Sequence, residues 1–451
     1  MGWRKPVIYA LLYASGSKIS QHLKIIKQLE FAGPEQIQEL TNRKLEQILL
    51  HAYKNVPYYR KLLPECGAVR DSKVILENFS RIPVLTKEII GAQGKDLYSS
   101  DYKSRRPYEN TSGGSTGEPV RFVQDKEYDD WNIATKIYYK TLGGQEIGDK
   151  ELRLWGSERD LLEGKEKFSV KFKYWIYNRS ELNAFKMTEE DMAVYVNKIN
   201  KAKPAWIETY VQAMHEFAKF IKDYKLEIHS PKGILTSAGT LYPEIKDLIE
   251  EVFRCKTFDR YGSREVGSVA CGCKMQEGLH LSFWNNYIEI LTDQMCTAGP
   301  GEIGKIYVTT LNNYSMPLIR YSIGDMAITG QNQKCSCGRT TPLIEKVIGR
   351  HMEVFKTKRG KIIPAEFFIH FIGVVHNKNY IKKFQVIQKD YDYIVIKAVV
   401  LDVRKFNESK NNIINSIKTV MGQDCKVDFE FVDEIPSTKS GKYLYTICEV
   451  K

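Results

Sequence analysis

No stretch of this chain reaches the roughly eighteen consecutive apolar residues that a membrane-spanning helix needs. It also lacks internal repeats and low-complexity segments, which sets repeat architectures aside. No Gly-Lys-Ser/Thr follows a glycine-rich run, so a Walker A phosphate loop is absent. No convincing Ser-His-Asp set offers itself as a covalent nucleophile. Lysine and arginine outnumber aspartate and glutamate by 67 to 55, a net charge of +12. They are scattered, with no aromatic-plus-basic recognition motif, so nucleic acid is not an expected partner. Diffuse basicity suits ATP, anionic substrates or a membrane-adjacent partner.

Secretion signals are equally thin. Trp3-Arg4-Lys5 and the short apolar run Val7 to Ala14 have the outline of a signal peptide. The apolar spacing continues through Leu23, Ile25, Ile26 and Leu29 with basic residues between, which predicts a retained amphipathic helix. Such a helix packs on the main domain or rests on an anionic membrane surface. Nine cysteines without a secretion signal point to a reducing cytoplasm, where clustered cysteines bind metal more often than they form disulfides.

What remains is an ordinary globular composition, 43% apolar and 27% charged, on 451 residues. That length favours a large domain plus a smaller one. Residues 20–65 read as helical, with a turn at Gly33-Pro34 and a break at Val56-Pro57. Helices are expected over Glu127 to Leu142 and Pro243 to Phe253, and buried strands at Ile234–Thr236 and Lys305–Val308. Their alternation predicts an α/β fold with a large, multi-layer N-terminal domain of mixed sheets and helices. After Gly349, strands at Phe384–Ile387 and Tyr393–Val400, a helix at Ser409–Met421 and a strand at Lys426–Val432 predict a small C-terminal α+β domain. The expected division is 1–348, a hinge at 349–353, and 354–451.

The richest segment is Thr111-Ser112-Gly113-Gly114-Ser115-Thr116-Gly117, followed by Glu118-Pro119. Its glycines let backbone approach a ligand, and its hydroxyls and amides can donate to anionic oxygens. Alone, it reads equally as a solvated linker. Four later motifs follow in order. They are Asp259-Arg260-Tyr261-Gly262-Ser263-Arg264-Glu265, the apolar run Pro317 to Tyr321 ending in a turn that exposes Asp325, Gly349-Arg350, and Pro436-Ser437-Thr438-Lys439-Ser440-Gly441-Lys442. Taken singly, Tyr261 is a core aromatic, Glu265 a salt-bridge partner, Asp325 a turn cap and Lys442 a surface lysine.

In order and spacing the set resembles the adenylate-forming superfamily, within it the phenylacetate–CoA ligase and CapK-like branch, from Val56-Pro57-Tyr58-Tyr59-Arg60 to Lys442. The resemblance implies ATP- and Mg²⁺-dependent activation of a carboxylic acid as an acyl-adenylate, with release of pyrophosphate. Thr111 to Gly117, with Thr116 among the catalytic residues, would close over the β- and γ-phosphates. Tyr261 beside Gly262 would stack on adenine, Glu265 would hold Mg²⁺, and Asp325 would accept from both ribose hydroxyls. Arg350 would reach ribose or phosphate, and Lys442 would bridge the substrate carboxylate and the α-phosphate. Ser237-Ala238-Gly239-Thr240 would line the adenine and acyl site. Trp206 and Tyr210 fall where the acyl pocket lies in relatives, and read equally as core. The first expected acceptor is an amine or hydroxyl, such as that of a surface or capsular polysaccharide precursor. CoA is the alternative, then adenylylation of a hydroxyl, and last a non-catalytic nucleotide-binding scaffold. Three departures stand out: Glu118 where many relatives carry lysine, Met352 and Glu353 at the hinge, and a basic run from Lys356 to Lys361 that could meet CoA phosphates, a nucleotide sugar or a lipid carrier.

Separately, Cys335-Ser336-Cys337-Gly338 forms a compact knuckle, and Cys273 with His280 supplies a second pair. Cys273, His280, Cys335 and Cys337 make a tetrahedral zinc set of structural type, with Cys271 as substitute; the alternative is ordinary buried thiols.

Overall fold

The computed structural model describes residues 3–112, 120–156, 168–184, 187–330, 334–350, 355–358, 362–363, 365–368, 372, 380–436 and 443–450. Near the N-terminus the expected single amphipathic helix is two. Helix α1 (Arg4–Ala14) ends before Gly16, whose φ of +68° turns the chain, and α2 (Ile19–Leu29) follows. Only α2 behaves as an amphipathic helix, burying Ile19, Leu23, Ile26 and Leu29 against Trp131 and its neighbours. Pro34 opens α3 (Pro34–Asn55), and Pro57 pushes Val56 into the extended region and opens α4 (Pro57–Glu65). Among the described residues no helix is long and apolar enough to cross a membrane.

A short helix, α5 (Lys87–Gln93), is capped by the Thr86 hydroxyl. The hairpin of β1 (Tyr108–Thr111) and β2 (Arg121–Gln124) leads into α6 (Lys126–Gly143), where the Asp125 carboxylate accepts from the Tyr128 N–H. The core of the large domain is an eleven-stranded sheet. One half comprises β3 (Glu151–Trp155), β4 (Arg179–Asn183), β5 (Trp206–Tyr210), β6 (Gly233–Ser237) and β7 (Lys256–Ser263), in the order β4-β3-β5-β6-β7 and all parallel. Helix α7 (Phe168–Ile176) precedes β4; α8 (Val211–Asp223) and α9 (Pro243–Phe253) form the crossovers that parallel pairing requires. From β7 onward the sheet is antiparallel through β8 (Gly267–Gly272), β9 (Leu279–Leu281), β10 (Asn286–Leu291), β11 (Ile303–Thr310), β12 (Tyr321–Thr329) and β13 (Leu343–Arg350), in the order β7-β8-β9-β13-β12-β11-β10.

The smaller C-terminal unit has a four-stranded sheet. Strands β14 (Ile381–Asp390) and β15 (Tyr393–Val400), helix α10 (Val403–Met421) and β16 (Lys426–Phe431) follow the expected β-β-α-β order. Helix α10 starts ahead of the expected Ser409 because the Asp402 carboxylate accepts from the N–H groups of Arg404 and Lys405 at 3.0 and 3.2 Å. Unexpected from the sequence is β17 (Thr446–Cys448), which pairs parallel with β14. One apolar core joins the two units, bringing Phe217 and Ile249 together with Phe384 and Phe406.

Beneath the parallel half lies a buried ion network. Lys140 bridges Glu151 at 2.6 Å and Glu208 at 3.0 Å, and Arg260 meets Glu208 at 2.9 Å. Burial pushes the Glu208 carboxyl up, but Lys140, Arg260 and Arg153 overcome it and hold the group well below the usual carboxylate range. Removing one member of such a network strands buried charge. Glu208→Ala is therefore expected to cost about 3–5 kcal/mol. Lys222→Ala, which opens the exposed Lys222–Glu251 pair, should change stability by about 0–1 kcal/mol. Urea unfolding of both variants measures the difference.

Candidate active site

Parallel strands leave a crevice beyond their carboxyl ends, and here it is bordered by Tyr210, Ser237 and the end of β7. Past Ser237 the chain turns through Ala238, a non-glycine residue at φ +60°. Conformations of that kind are tolerated where surrounding structure over-determines them, and they cluster at functional sites. Trp206 resolves as core: it is 3% exposed and packs on Phe258. Tyr210 stands at the rim, with its ring on Trp155 at 4.1 Å between centroids and its hydroxyl donating to the Gly156 carbonyl.

On β7 the Tyr261 hydroxyl donates to Asp325 Oδ2 at 2.7 Å. Asp325 does not lie on the expected turn. It sits inside β12, opposite Arg350 of β13, just after Gly324 at φ +86°. The strand runs on through that glycine as a bulge: the register with β11 shifts across Ile323–Asp325, and pairing resumes at Asp325 with β13 and at Met326 with β11.

Glu265 occupies the tight turn between β7 and β8 and is 7% exposed. The Gln124 side-chain amide donates to the carbonyls of Arg264 and Glu265, tying this turn to the β1–β2 hairpin. At Gly262 a Cβ would overlap the Gly267 carbonyl, so the two strands meet this closely only through glycine. Gly267, at φ +69°, leaves room for Tyr128 Oη and Asn132 Oδ1. The Glu265 carboxylate meets the Tyr321 hydroxyl at 3.4 Å and Lys87 Nζ at 4.0 Å. Tyr128 Oη nearby is buried with no hydrogen-bond partner among the described residues. A buried carboxylate with only distant partners beside an unsatisfied hydroxyl fits a cation and an anionic ligand better than a closed core.

The ends of the glycine-rich segment are fastened. Ser112 N–H donates to the Val120 carbonyl, and Val120 N–H donates back to Ser112 Oγ, both at 2.9 Å. Asp125, 1% exposed, also accepts from Tyr314 and Ser315 N–H at 3.1 and 3.0 Å. Gly113, Gly114, Ser115, Thr116, Gly117, Lys442 and the Arg350 side chain lie outside the described residues. Tyr128, Lys87 and Gln124 escaped the sequence reading because nothing local in their motifs announces contact with a turn distant in the chain.

Cys273, His280, Cys335 and Cys337 converge, with all four ligand atoms within 4.8 Å of one another. Cys273 Sγ is 3.5 Å from Cys335 Sγ, and His280 Nε2 is 3.5 Å from Cys337 Sγ. Sulfurs bound tetrahedrally at about 2.3 Å from one ion sit about 3.7 Å apart, so the cluster fits a metal. His280 Nδ1 lies 2.6 Å from the Thr341 hydroxyl, the kind of contact that orients a ligating imidazole. Burial, with Arg339 as the lesser influence, pushes the His280 imidazole down to about 4, leaving it neutral. Cys271 points elsewhere, toward the Tyr139 carbonyl.

Fold and site together define a class: the chain belongs to the adenylate-forming superfamily of ATP-dependent, AMP-forming ligases. Within it, the relationship is to CoA-ligase and CapK-type proteins, and residues 355–449 match the CapK C-terminal domain family. The chain is 26% identical to Protein CapK of Staphylococcus aureus over 422 residues, 92% of this chain and 89% of that one. It is 21% identical to a phenylacetate-coenzyme A ligase of Thermus thermophilus, covering 75% and 76% of the two chains. In fold it resembles 2-hydroxyisobutyryl-CoA ligase in the postadenylation state, with a TM-score of 0.73 at 18% identity over 94% of this chain and 91% of that one. Against the same ligase with 2-HIB-AMP and CoA in the thioesterification state the TM-score is 0.60 at 20% identity, over 94% and 92%.

Gly262→Ala is expected to cost about 1–3 kcal/mol by forcing β7 and β8 apart. Gly91→Ala, in a helix with nothing within 4 Å of the added methyl, should be neutral or stabilise by about 0.5–1 kcal/mol. Thermal denaturation of the two variants distinguishes them.

Proposed function

We propose that the protein joins a carboxylic acid to AMP and then passes the acyl group to the thiol of coenzyme A. The observation that carries this reading is the Tyr261–Asp325 pair, set at the mouth of the crevice with the buried Glu265 turn at the end of the same strand. Tyr261 beside Gly262 offers a ring face to adenine, and Asp325 has two oxygens for the ribose hydroxyls, with Arg350 opposite it in register. Glu265 would hold magnesium, which when bound supplies positive charge to the phosphate oxygens. The amides and hydroxyls of Thr111 to Gly117, Thr116 among them, would donate to the β- and γ-phosphates, while Ser237, Ala238 and Gly239 border adenine and the acyl group.

Two anions must meet for the carboxylate to attack the α-phosphorus, so positioning and cationic neutralisation carry the step. Lys442 is the proposed cation. Its support comes from the residues that follow it: the Tyr445 hydroxyl lies 3.3 Å from His215 Nδ1 of α8, and its ring meets Tyr242, shortly after the Ser237–Gly239 turn. Residues 349–353 would serve as the hinge between units 1–348 and 354–451.

Coenzyme A replaces the amine or hydroxyl acceptor that led the reading of the sequence. The support is that several curated relatives are named phenylacetate-coenzyme A ligase and that the fold aligns over most of its length with a CoA ligase solved with CoA. Lys442→Ala is expected to lower ATP–pyrophosphate exchange at least about a hundredfold with ATP binding retained; unchanged exchange overturns the lysine's role. Thiol consumption should accompany turnover across a panel of alkyl and aryl acids. An adenylate trapped by hydroxylamine without thiol loss would remove CoA and leave adenylation standing.

The cysteine–histidine cluster is proposed to hold a structural zinc with no open position. Metal analysis should find about one zinc per chain, and Cys335→Ser should lose it and lower the unfolding temperature, as expected where metal binding contributes to folding. A stable, metal-free protein would overturn it.

A further inference from the structure

Helix α1 is apolar on both sides. Ile8 is 1% exposed, and Tyr9 and Leu12 pack against the core around Trp131. On the outer side Trp3, Val7 and Leu11 follow one another at helical spacing, and are 49%, 37% and 46% exposed. A second element extends this stripe. Trp175 of α7 lies 5.6 Å from Trp3 between ring centroids, and Phe172 lies 6.0 Å from Trp175. Both are more than half exposed, and Arg4 Nε reaches the Trp175 carbonyl at 3.5 Å, linking the two helices. Two elements distant in sequence thus present one aromatic ridge to solvent. Isolated exposed apolar residues need no explanation, but a contiguous ridge does.

Charge says what the ridge meets. Residues 1–29 contain Arg4, Lys5, Lys18, Lys24 and Lys27 and no aspartate or glutamate, and 168–177 contain Lys171 and Lys173 with no acid. Acidic neighbours come from elsewhere: Glu146 pairs with Lys5 and Glu127 with Lys18, each at 2.8 Å. Asp130 accepts from the Ser17 hydroxyl and the Lys18 N–H, and Asp149 and Asp129 lie near Lys5 and Lys173. Lys24 and Lys27 are exposed. Tryptophan at an apolar boundary fringed by lysine and arginine matches the interface of an anionic bilayer, where the indole sits at headgroup level. With only eleven residues, α1 is too short to span a bilayer, which needs about twenty.

We propose that the outer faces of α1 and α7 seat this protein on the surface of a membrane containing anionic lipid. The ridge lies outside the residues assigned to nucleotide chemistry, so the proposal stands or falls separately from the catalytic reading. Neither hydrophobic contact nor charge suffices alone; marginal anchors of this kind need both.

The test is co-sedimentation of the full chain with vesicles of phosphatidylcholine alone and of phosphatidylcholine mixed with phosphatidylglycerol. The protein should pellet with the mixed vesicles, with a blue-shifted tryptophan emission, and weaken as salt screens the lysines. The double variant Trp3→Ser/Leu11→Ser should bind at least about tenfold more weakly while keeping the parent's unfolding midpoint and far-ultraviolet circular dichroism. Lys24→Glu/Lys27→Glu gives a second reading, since reversing exposed charges leaves packing untouched; it should erase the preference for phosphatidylglycerol. Equal pelleting by parent and double variant, or no pelleting with either vesicle, overturns the proposal. So does a dimer in analytical ultracentrifugation that the double variant loses, because a second copy would then cover the ridge.

Discussion

Strand β7 is the joint on which the large domain depends. It pairs parallel with β6 on one edge and antiparallel with β8 on the other. The carboxyl ends of the parallel strands therefore coincide with the first tight turn of the antiparallel half. A side chain near the end of β7, such as Tyr261, faces the crevice of one half while hydrogen-bonding to Asp325 of the other. The turn that follows carries Glu265, and its closeness depends on Gly262, which lets backbone touch backbone, and on Gly267, which makes room for Tyr128 and Asn132. Other architectures assemble such a set from loops; here the change of strand direction does it.

Much of this was legible because proline, glycine and capping residues act locally. Pro34, Pro57 and Pro243 open the helices where the chain predicts them. The misreadings fall where hydrophobic spacing and a single turn residue do not decide the backbone. Gly324 reads as a turn but is carried inside β12 as a bulge, with pairing resuming on both edges just after it. The N-terminal periodicity spans a break at Gly16, whose positive φ turns the chain between α1 and α2 although both helices pack on the same core. Asp402 begins α10 early through a cap that hydrophobic spacing does not register.

The site was legible in part. Motifs named Tyr261, Asp325 and Glu265, whereas their supports came from position: Gln124 reaching across to the Arg264 and Glu265 carbonyls, Tyr128 under Gly267, and Lys87 near the carboxylate. These are ordinary polar residues in ordinary local settings. Only a fold that brings helix, hairpin and strand turn together gives them a role. The cysteine cluster was easier, because residue type and spacing mark it: Cys335 and Cys337 on one loop, and Cys273 with His280 of β9, brought together when β9 and β13 pair side by side.

The same cluster has a chemical liability. Sulfurs 3.5 Å apart at Cys273 and Cys335 need approach by only about 1.5 Å to reach disulfide length. Whenever no metal holds the thiolates, oxidant can close that bond, and the end of β8 and the knuckle would be cross-linked in a geometry that no longer admits an ion. Handling under air would then trap a form that added metal cannot rescue until a reductant reopens it.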